Sequence, residues 1–207
     1  MSTPPAPVPL PTDLTTLANV RAWLNAPTID NSDAMLQRLL SAASVFAQTW
    51  MNRNIPIADY TERYTGTGSD TLALANYPIQ SVASVTIRDW TVQPSPDGIR
   101  SGYVYDDRFL YLIGLPGPAL GPFNGAPNVF PKFPPRAIGI TYTAGYETVP
   151  PDIEQAVLEL IALKWSDRSH FGQSSKSVGG EVVSYITADM PRGVATLLGN
   201  YKKVIPV

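Results

Sequence analysis

The sequence lacks cysteine and has a single histidine, His170. Disulfides and thiolate metal sites are therefore excluded, and one imidazole cannot form a histidine-rich metal site or a two-histidine mechanism within one chain. Charged residues make up only 15% of the chain, whereas about a quarter is usual in globular domains. So little charge indicates that part of the surface is covered by partners. The net charge of −2 gives no basic field to attract nucleic acid.

Long apolar runs are also missing. No uncharged apolar stretch reaches the roughly 18 residues needed to cross a bilayer, and the N-terminus has neither the basic nor the apolar region of a secretory signal. We therefore expect no membrane association, and synthesis in the cytosol. The 207 residues suffice for one well-buried domain or two small ones.

Two helices are predicted near the N-terminus, after a proline-rich arm. Residues 1–11 contain five prolines, so we expect a flexible segment or an arm lying on a neighbouring subunit. The first helix is expected from Thr12 or Asp13 to about Asn25. The second begins at Asn31 or Ser32 and closes before Pro56; the short connection predicts an antiparallel pair. The apolar side chains of the second helix recur at helical spacing: Leu36, Leu39, Leu40, Ala43, Phe46, Ala47 and Trp50.

From residue 60 to residue 142 the apolar pattern has a period of two, which predicts a β-rich insertion. Residues 114–137 interrupt it with proline, glycine and asparagine, and irregular segments of that length are usually functional or mobile. The predicted strands are Tyr60 to Thr65, Thr71 to Leu74, Val82 to Ile87, Tyr103 to Tyr105, Phe109 to Ile113 and Ile138 to Tyr142.

A helix that is apolar almost all round is predicted to start at Pro151. Such a helix must be buried on most sides, either in a core or between subunits. A hairpin is expected at Val178 to Glu181, leading into a strand from Val182 to Ile186, and a short helix from Pro191 through Leu198. The residues of the long helix that we expect in a core or a subunit contact are Val157, Leu158, Leu160, Ile161, Trp165 and Arg168.

The predicted fold class is α+β, with a helical core formed by the N-terminal helix pair and the C-terminal helix, and a β-rich insertion. In domain terms, residues 1–11 form the arm, residues 12–200 a single domain with its insertion at about 60–142, and residues 201–207 a C-terminal tail. We find no internal repeats.

The sequence offers few groups for chemistry. His170 could act as a general base, but a histidine just past a helix end is more often a surface residue. Gly66-Thr67-Gly68 lacks the lysine of a phosphate loop and reads as a turn. Asp106-Asp107 could bind a hard cation, yet adjacent strand residues face opposite ways, so a hairpin turn is the simpler interpretation. We therefore predict no catalytic residue, cofactor or metal site.

Two features leave alternatives open. The ten tyrosines suit a half-buried sheet, although an exposed set could stack on a sugar. The end of the chain is basic and then apolar, which fits either a frayed terminus or a docking peptide. Its candidate docking residues are Arg192, Tyr201, Lys202, Lys203, Val204, Ile205 and Val207.

Several segments, taken in order, resemble the head–tail connector, or adaptor, proteins of long-tailed bacteriophages. A helix pair ends in Asn52-Arg53, and a run from Leu72 to Val85 has the pattern L-x-L-x-x-x-P-I-x-S-V-x-S-V. A strand then leads into a turn of the type GY-x-x-x-P-P, followed by a helix ending near a Trp and an Arg. The matching positions are Gly145, Tyr146, Pro150, Pro151, Trp165 and Arg168.

The resemblance covers roughly residues 12–200 and implies a structural role. Connectors of this family assemble as a ring, commonly of twelve copies, beneath the portal protein, and support a further neck or tail-completion protein. Double-stranded DNA passes through the ring without sequence-specific binding, which a near-neutral chain would permit. The resemblance further implies that residues 192–207 grip the portal; we expect their deletion to leave the fold intact and abolish portal binding.

The alternative function is a tail-associated module whose tyrosine-rich sheet binds carbohydrate. That reading requires several exposed aromatic side chains on one concave face. The connector reading requires exposed apolar surface on the helices instead.

Overall fold

The computed structural model describes residues 12–25, 32–88, 90–114, 129–168, 175–178, 181–184 and 190–203. Within these residues the chain has the predicted α+β fold, with four helices and antiparallel sheets. It forms two compact units. One comes from Met1–Pro56 and Thr148–Val207, and the other is Ile57–Glu147. The described part has no helix long and apolar enough to span a membrane.

The first unit is helical. Its helices are α1 (Leu17–Leu24), α2 (Ser32–Met51), α3 (Pro151–Asp167) and α4 (Arg192–Gly199). The helix α3 packs against the other three, so most of its apolar surface is covered within one chain. The most buried apolar residues of the unit are Leu14, Val20, Leu36, Leu40, Ala47, Met51, Ile55, Ile153, Ala156, Val157, Leu160, Ile161, Val194 and Leu198.

The first helix begins later than the sequence predicts. Thr16 caps α1 by accepting a hydrogen bond from the Asn19 backbone N–H at 3.2 Å. Leu14 precedes the cap with 1% of its surface exposed, and its N–H donates to Ser44 Oγ at 3.0 Å. The residues before Thr16 are therefore held by α2 instead of continuing the helix, which corrects the predicted start at Thr12 or Asp13.

The second unit is made of two antiparallel sheets. Its strands are β1 (Ala58–Tyr64), β2 (Thr71–Ala73), β3 (Ile79–Ile87), β4 (Trp90–Val92), β5 (Gly102–Tyr105), β6 (Phe109–Ile113) and β7 (Ile138–Ala144). The order in the larger sheet is β1-β7-β3-β4, and in the smaller sheet β2-β6-β5. One apolar cluster lies between the strands; its best-buried members include Val85, Leu110, Phe130, Ile138, Ile140 and Tyr142.

Most predicted strands are present, with shifted ends. The strand β4 was missed, because three residues are too few to show a period. Near the C-terminus β8 (Ser175–Val178) pairs with β9 (Glu181–Ser184), as the predicted hairpin at Val178 to Glu181 requires, and β9 begins one residue before the predicted Val182. The helix α4 runs from Arg192 to Gly199, so each end lies one residue later than the predicted Pro191 to Leu198. The expectations for residues 1–11, for most of residues 114–137, for His170 and for residues 204–207 lie outside the described residues.

Candidate functional site

The Asn-Arg pair of the family pattern ends α2. Asn52 adopts a left-handed conformation (φ 55°), which is typical of the residue just past a helix end. The Arg53 N–H donates to the Gln48 carbonyl at 3.1 Å, and only 9% of Arg53 is exposed. The Gln48 side chain accepts from the Ile55 N–H at 3.2 Å and donates to the Thr12 carbonyl at 2.9 Å. These family positions therefore fix the turn that leaves the helix pair.

The second family pattern forms the turn from β7 to α3. Gly145 has φ +118°, a conformation that side chains other than glycine rarely adopt, and its N–H donates to the Pro78 carbonyl at 2.9 Å. Pro150 and Pro151 start α3, and the Pro150 carbonyl accepts from the N–H of Glu154 at 3.1 Å. The Tyr146 carbonyl accepts a hydrogen bond from the Ile57 N–H at 3.1 Å. This motif therefore ends a strand and starts a helix.

Carboxylates in the first turn of α3 bind neighbouring elements. Glu154 accepts from the Thr15 hydroxyl and from the Asn19 amide, both at 2.6 Å. Asp152 accepts from the Tyr201 hydroxyl at 2.8 and 2.9 Å. Acidic side chains in the first turn of a helix interact favourably with its dipole. Asp152 and Glu154 also attach α1 and the C-terminal segment to α3.

The predicted core or subunit residues of α3 divide into two groups. Val157, Leu158, Leu160 and Ile161 are buried within the helical unit. Trp165 is partly exposed near the end of the helix, and Arg168 is exposed. The Arg168 guanidinium lies 3.9 Å from the centre of the Trp165 ring, and its Nη1 is 3.6 Å from Met35 Sδ on α2. The cation–aromatic contact lies within the end of α3, and the contact between Arg168 and Met35 joins that end to the start of α2 at the surface.

The candidate docking segment packs largely on its own helical unit. Lys202 Nζ lies 4.5 Å from the centre of the Trp50 ring, and the Lys203 N–H donates to the Met51 carbonyl at 2.8 Å. Arg192 is exposed, whereas Val194 and Leu198 of the same segment are fully buried. Deleting residues 192–207 would thus open the core, which corrects the expectation that the fold survives. Val204, Ile205 and Val207 lie outside the described residues.

The two short motifs considered as a cation site and a phosphate loop, Asp106-Asp107 and Gly66-Thr67-Gly68, form turns. Asp106 Oδ1 accepts from the backbone N–H groups of Arg108 and Phe109 at 2.8 and 2.7 Å, and these bonds lower the pKa of its carboxyl group. Gly68 donates to the Phe130 carbonyl at 2.8 Å, so the Gly66 to Gly68 turn packs on a neighbouring backbone segment. The part of the chain that the structure describes contains no His, Cys, Asp and Glu group able to hold a metal.

A partly buried polar cluster in the second unit was not predicted. The hydroxyls of Tyr64 and Tyr142 both donate to Glu62, the Tyr142 bond at 2.6 Å, and the two hydroxyls lie 3.1 Å apart. The backbone N–H groups of Ala75 and Asn76 donate to these two hydroxyls at 2.9 and 3.2 Å. The only signal in the sequence is a glutamate two residues before a tyrosine, on one face of a strand.

Comparison with protein families identifies the class. The family model for the head completion protein matches residues 13–113 and 122–204. The chain belongs to this family of structural virion proteins, and it is therefore a structural protein instead of an enzyme. The resemblance to head–tail connectors is confirmed.

Solved structures share the fold at low sequence identity. A chain described as "Virion of native gene transfer agent (GTA) particle" is 19% identical, with a TM-score of 0.56 over 98% of this chain and 96% of that one. A second, from "Neck of native GTA particle computed with C12 symmetry", is 18% identical, with a TM-score of 0.53 over 100% and 94%. A third, from "Neck of empty GTA particle computed with C6 symmetry", is 19% identical, with a TM-score of 0.54 over 98% and 96%. No curated protein matches significantly.

Proposed function

We propose that this protein forms a ring in the neck of a virion, beneath the portal, where it joins the DNA-filled head to the tail and extends the DNA channel. The observation that carries the proposal is the shared fold with a chain of a particle neck computed with C12 symmetry, over the full length of this chain. Membership of the head completion family supports it independently. The ring would contain twelve copies and carry a further neck or tail-completion protein.

The experiment is to add the purified chain to portal rings or to DNA-filled, tailless heads, and to image the complexes by electron microscopy. The expected result is an added ring of density below the portal, whose symmetry gives the number of copies. A folded chain that adds no density would contradict the proposal. The same chain mixed with heads that lack portal is the control, because it reports binding to the shell alone.

Portal docking is assigned to the last residues of the chain. Arg192 is exposed on α4, and Lys203 is followed by the apolar sequence Val-Ile-Pro-Val. Because Val194 and Leu198 are core residues, the informative truncation removes only residues 204–207. We expect this variant to keep its thermal unfolding midpoint and lose portal binding, whereas an exposed change on α4, Thr196→Ala, keeps both. Unchanged binding after the truncation would overturn this assignment.

The carbohydrate-binding alternative requires several exposed aromatic side chains on one face, but the exposed Trp90 and Tyr105 lie in different sheets, on β4 and β5. Tyr103 and Tyr142 are 5% and 1% exposed, and Tyr60 and Tyr64 pack against the apolar cluster. These tyrosines serve the interior of the second unit and are not available to stack on a sugar. Protection of the β unit from proteolysis by a soluble sugar would revive the alternative.

A further inference from the structure

The outward face of α2 is apolar along most of its length. Met35, Val45 and Phe46 are 37%, 50% and 41% exposed, and Ala34 and Ala42 on the same face are also exposed. Phe46 belongs to the apolar residues that recur at helical spacing in the sequence, but it is exposed. A solvent-facing helix normally carries charged residues on this side, so a contiguous apolar face indicates a surface that another protein covers.

Charge on α2 is limited to two side chains. Asp33 forms an ion pair with Arg21 of α1. Arg38 is exposed in the middle of the outward face, and it makes no hydrogen bond or ion pair with the residues that the structure describes. Whatever covers this face should therefore present apolar groups around one carboxylate.

A closed ring requires two different surfaces on each copy, because head-to-tail contacts join unlike patches. The exposed side of α3 has the matching character. Ala162 and Leu163 are partly exposed there, next to the partly exposed Glu159. Glu159 accepts a hydrogen bond from the Gln155 amide at 3.0 Å. It forms no ion pair with a cation among the residues that the structure describes.

The two surfaces lie on different helices. The helices α2 and α3 pack against each other, and on each helix the exposed side chains lie opposite the buried ones. The two surfaces can therefore contact different copies, as a head-to-tail ring requires. The acids in the first turn of α3 are engaged by Thr15, Asn19 and Tyr201, so Glu159 is the carboxylate at the centre of the exposed side.

We propose that the outward face of α2 in one copy packs on the exposed side of α3 in the next copy, with Arg38 opposite Glu159. The occupant of each face is thus a second copy of this chain. This interface rests on the proposed ring function and names the residues that form it. The apolar side chains supply the buried area, and the ion pair fixes which surfaces meet.

The test is a charge exchange in the full-length chain on portal rings. Arg38→Glu and Glu159→Arg are each expected to lower the fraction of portals that carry a complete ring about tenfold, since like charges then meet across the contact. In the double variant, most of the lost fraction of portals with a complete ring should be recovered. Arg63→Glu and Glu147→Arg, exposed on the β unit, are the matched controls and should assemble like the wild type. Thermal unfolding of each variant shows that the fold is kept.

A cross-linking experiment gives an independent readout, because the natural chain has no cysteine. With Ala42→Cys and Ala162→Cys in one chain, a short bis-maleimide should link copies into a ladder of oligomers. Either cysteine alone should give no ladder, since each surface meets an unlike one.

The outcomes separate the interface from the function. A wild-type ring on portal with single charge variants that assemble normally would overturn this interface and leave the connector role standing. Loss of rings in the single variants without recovery in the double variant would also overturn it. A wild-type chain that adds no ring would contradict the proposed function and, with it, the interface.

Discussion

At the scale of single residues, the carboxylate of Glu62 joins several side chains of the β unit. It accepts hydrogen bonds from Tyr64, Tyr142 and the Asn76 amide, the last at 3.3 Å. Because Tyr142 is only 1% exposed, its hydroxyl depends on protein partners. A buried hydroxyl without an acceptor costs free energy comparable to a lost hydrogen bond.

We predict that Glu62→Leu destabilises the β unit by about 2–3 kcal/mol, because the phenols and the amide lose a charged acceptor while their own burial remains. Glu62→Gln should cost less, since one oxygen acceptor survives. Hydrogen exchange of the β7 amides measures the effect locally. Thr61→Ala, on the exposed face of the same strand, is the control, and its change should stay within about 0.5 kcal/mol. Equal protection in all three variants would contradict the role given to Glu62.

The same cluster predicts a loss of stability at alkaline pH. Burial, and then the hydrogen bond to Glu62, raise the pKa of Tyr142 to about 12 from the ordinary value of 10.0. The folded state therefore holds this proton more tightly than the unfolded state, so its stabilising contribution is complete below pH 10 and is lost as the pH rises towards 12.

Urea midpoints of the β unit, measured from pH 8 upward, should fall above pH 10, and Tyr142→Phe should make that fall shallower. It should not abolish the fall, because burial also raises the pKa of Tyr64. Tyr105→Phe serves as the comparison, because Tyr105 is 41% exposed. A Tyr142→Phe profile as steep as that of the wild type would count against this account.

At the scale of elements, α4 joins the C-terminus to the helical unit. Its two fully buried side chains, Val194 and Leu198, provide the apolar contact, and Tyr201 adds a polar contact to Asp152. An eight-residue helix is not stable alone in water, so packing must hold it in place.

We predict that Leu198→Ala lowers the free energy of unfolding of the helical unit by about 2–4 kcal/mol, the usual result of removing a buried leucine side chain. The neighbouring Leu197 is partly exposed, so Leu197→Ala is a matched control with a clearly smaller loss. Urea unfolding followed by circular dichroism measures both. A similar loss for the two variants would show that α4 is not docked as described.

The sequence predicts where helices and strands lie better than it predicts which residues cover them. The apolar periodicity located α2, α3 and most strands, since local periods depend on which face is buried. The periodicity does not show whether a helix is covered by its own chain or by another one. The helix α3 packs on α1, α2 and α4 of its own unit, whereas Phe46 on α2 is exposed. Likewise, the Glu62 cluster depends on the pairing of β1 with β7, in which Glu62 lies opposite Ile140 and Tyr64 opposite Ile138. Such pairing between distant segments leaves no local signal.

At the scale of the whole molecule, the chain is two units with separate cores. The β unit, Ile57–Glu147, is one continuous segment. Its ends are adjacent, because the Ile57 N–H donates to the Tyr146 carbonyl at 3.1 Å. An insertion with adjacent ends can be removed with little cost in chain entropy, since a short loop can close the gap.

We predict that replacing Ile57–Glu147 by a short Gly/Ser linker leaves the helical unit folded, with helical circular dichroism and a cooperative thermal transition. The isolated β segment should fold as well. Removing only residues 79–147 is the contrasting variant: it leaves β1 and β2 without the strands they pair with, so it should expose apolar surface and aggregate.

Since α2 and α3 both lie in the helical unit, the linker variant should still add a ring to portal. If it is folded but forms no ring, the β unit contributes to the subunit contacts, and the interface assigned to the helices alone is incomplete.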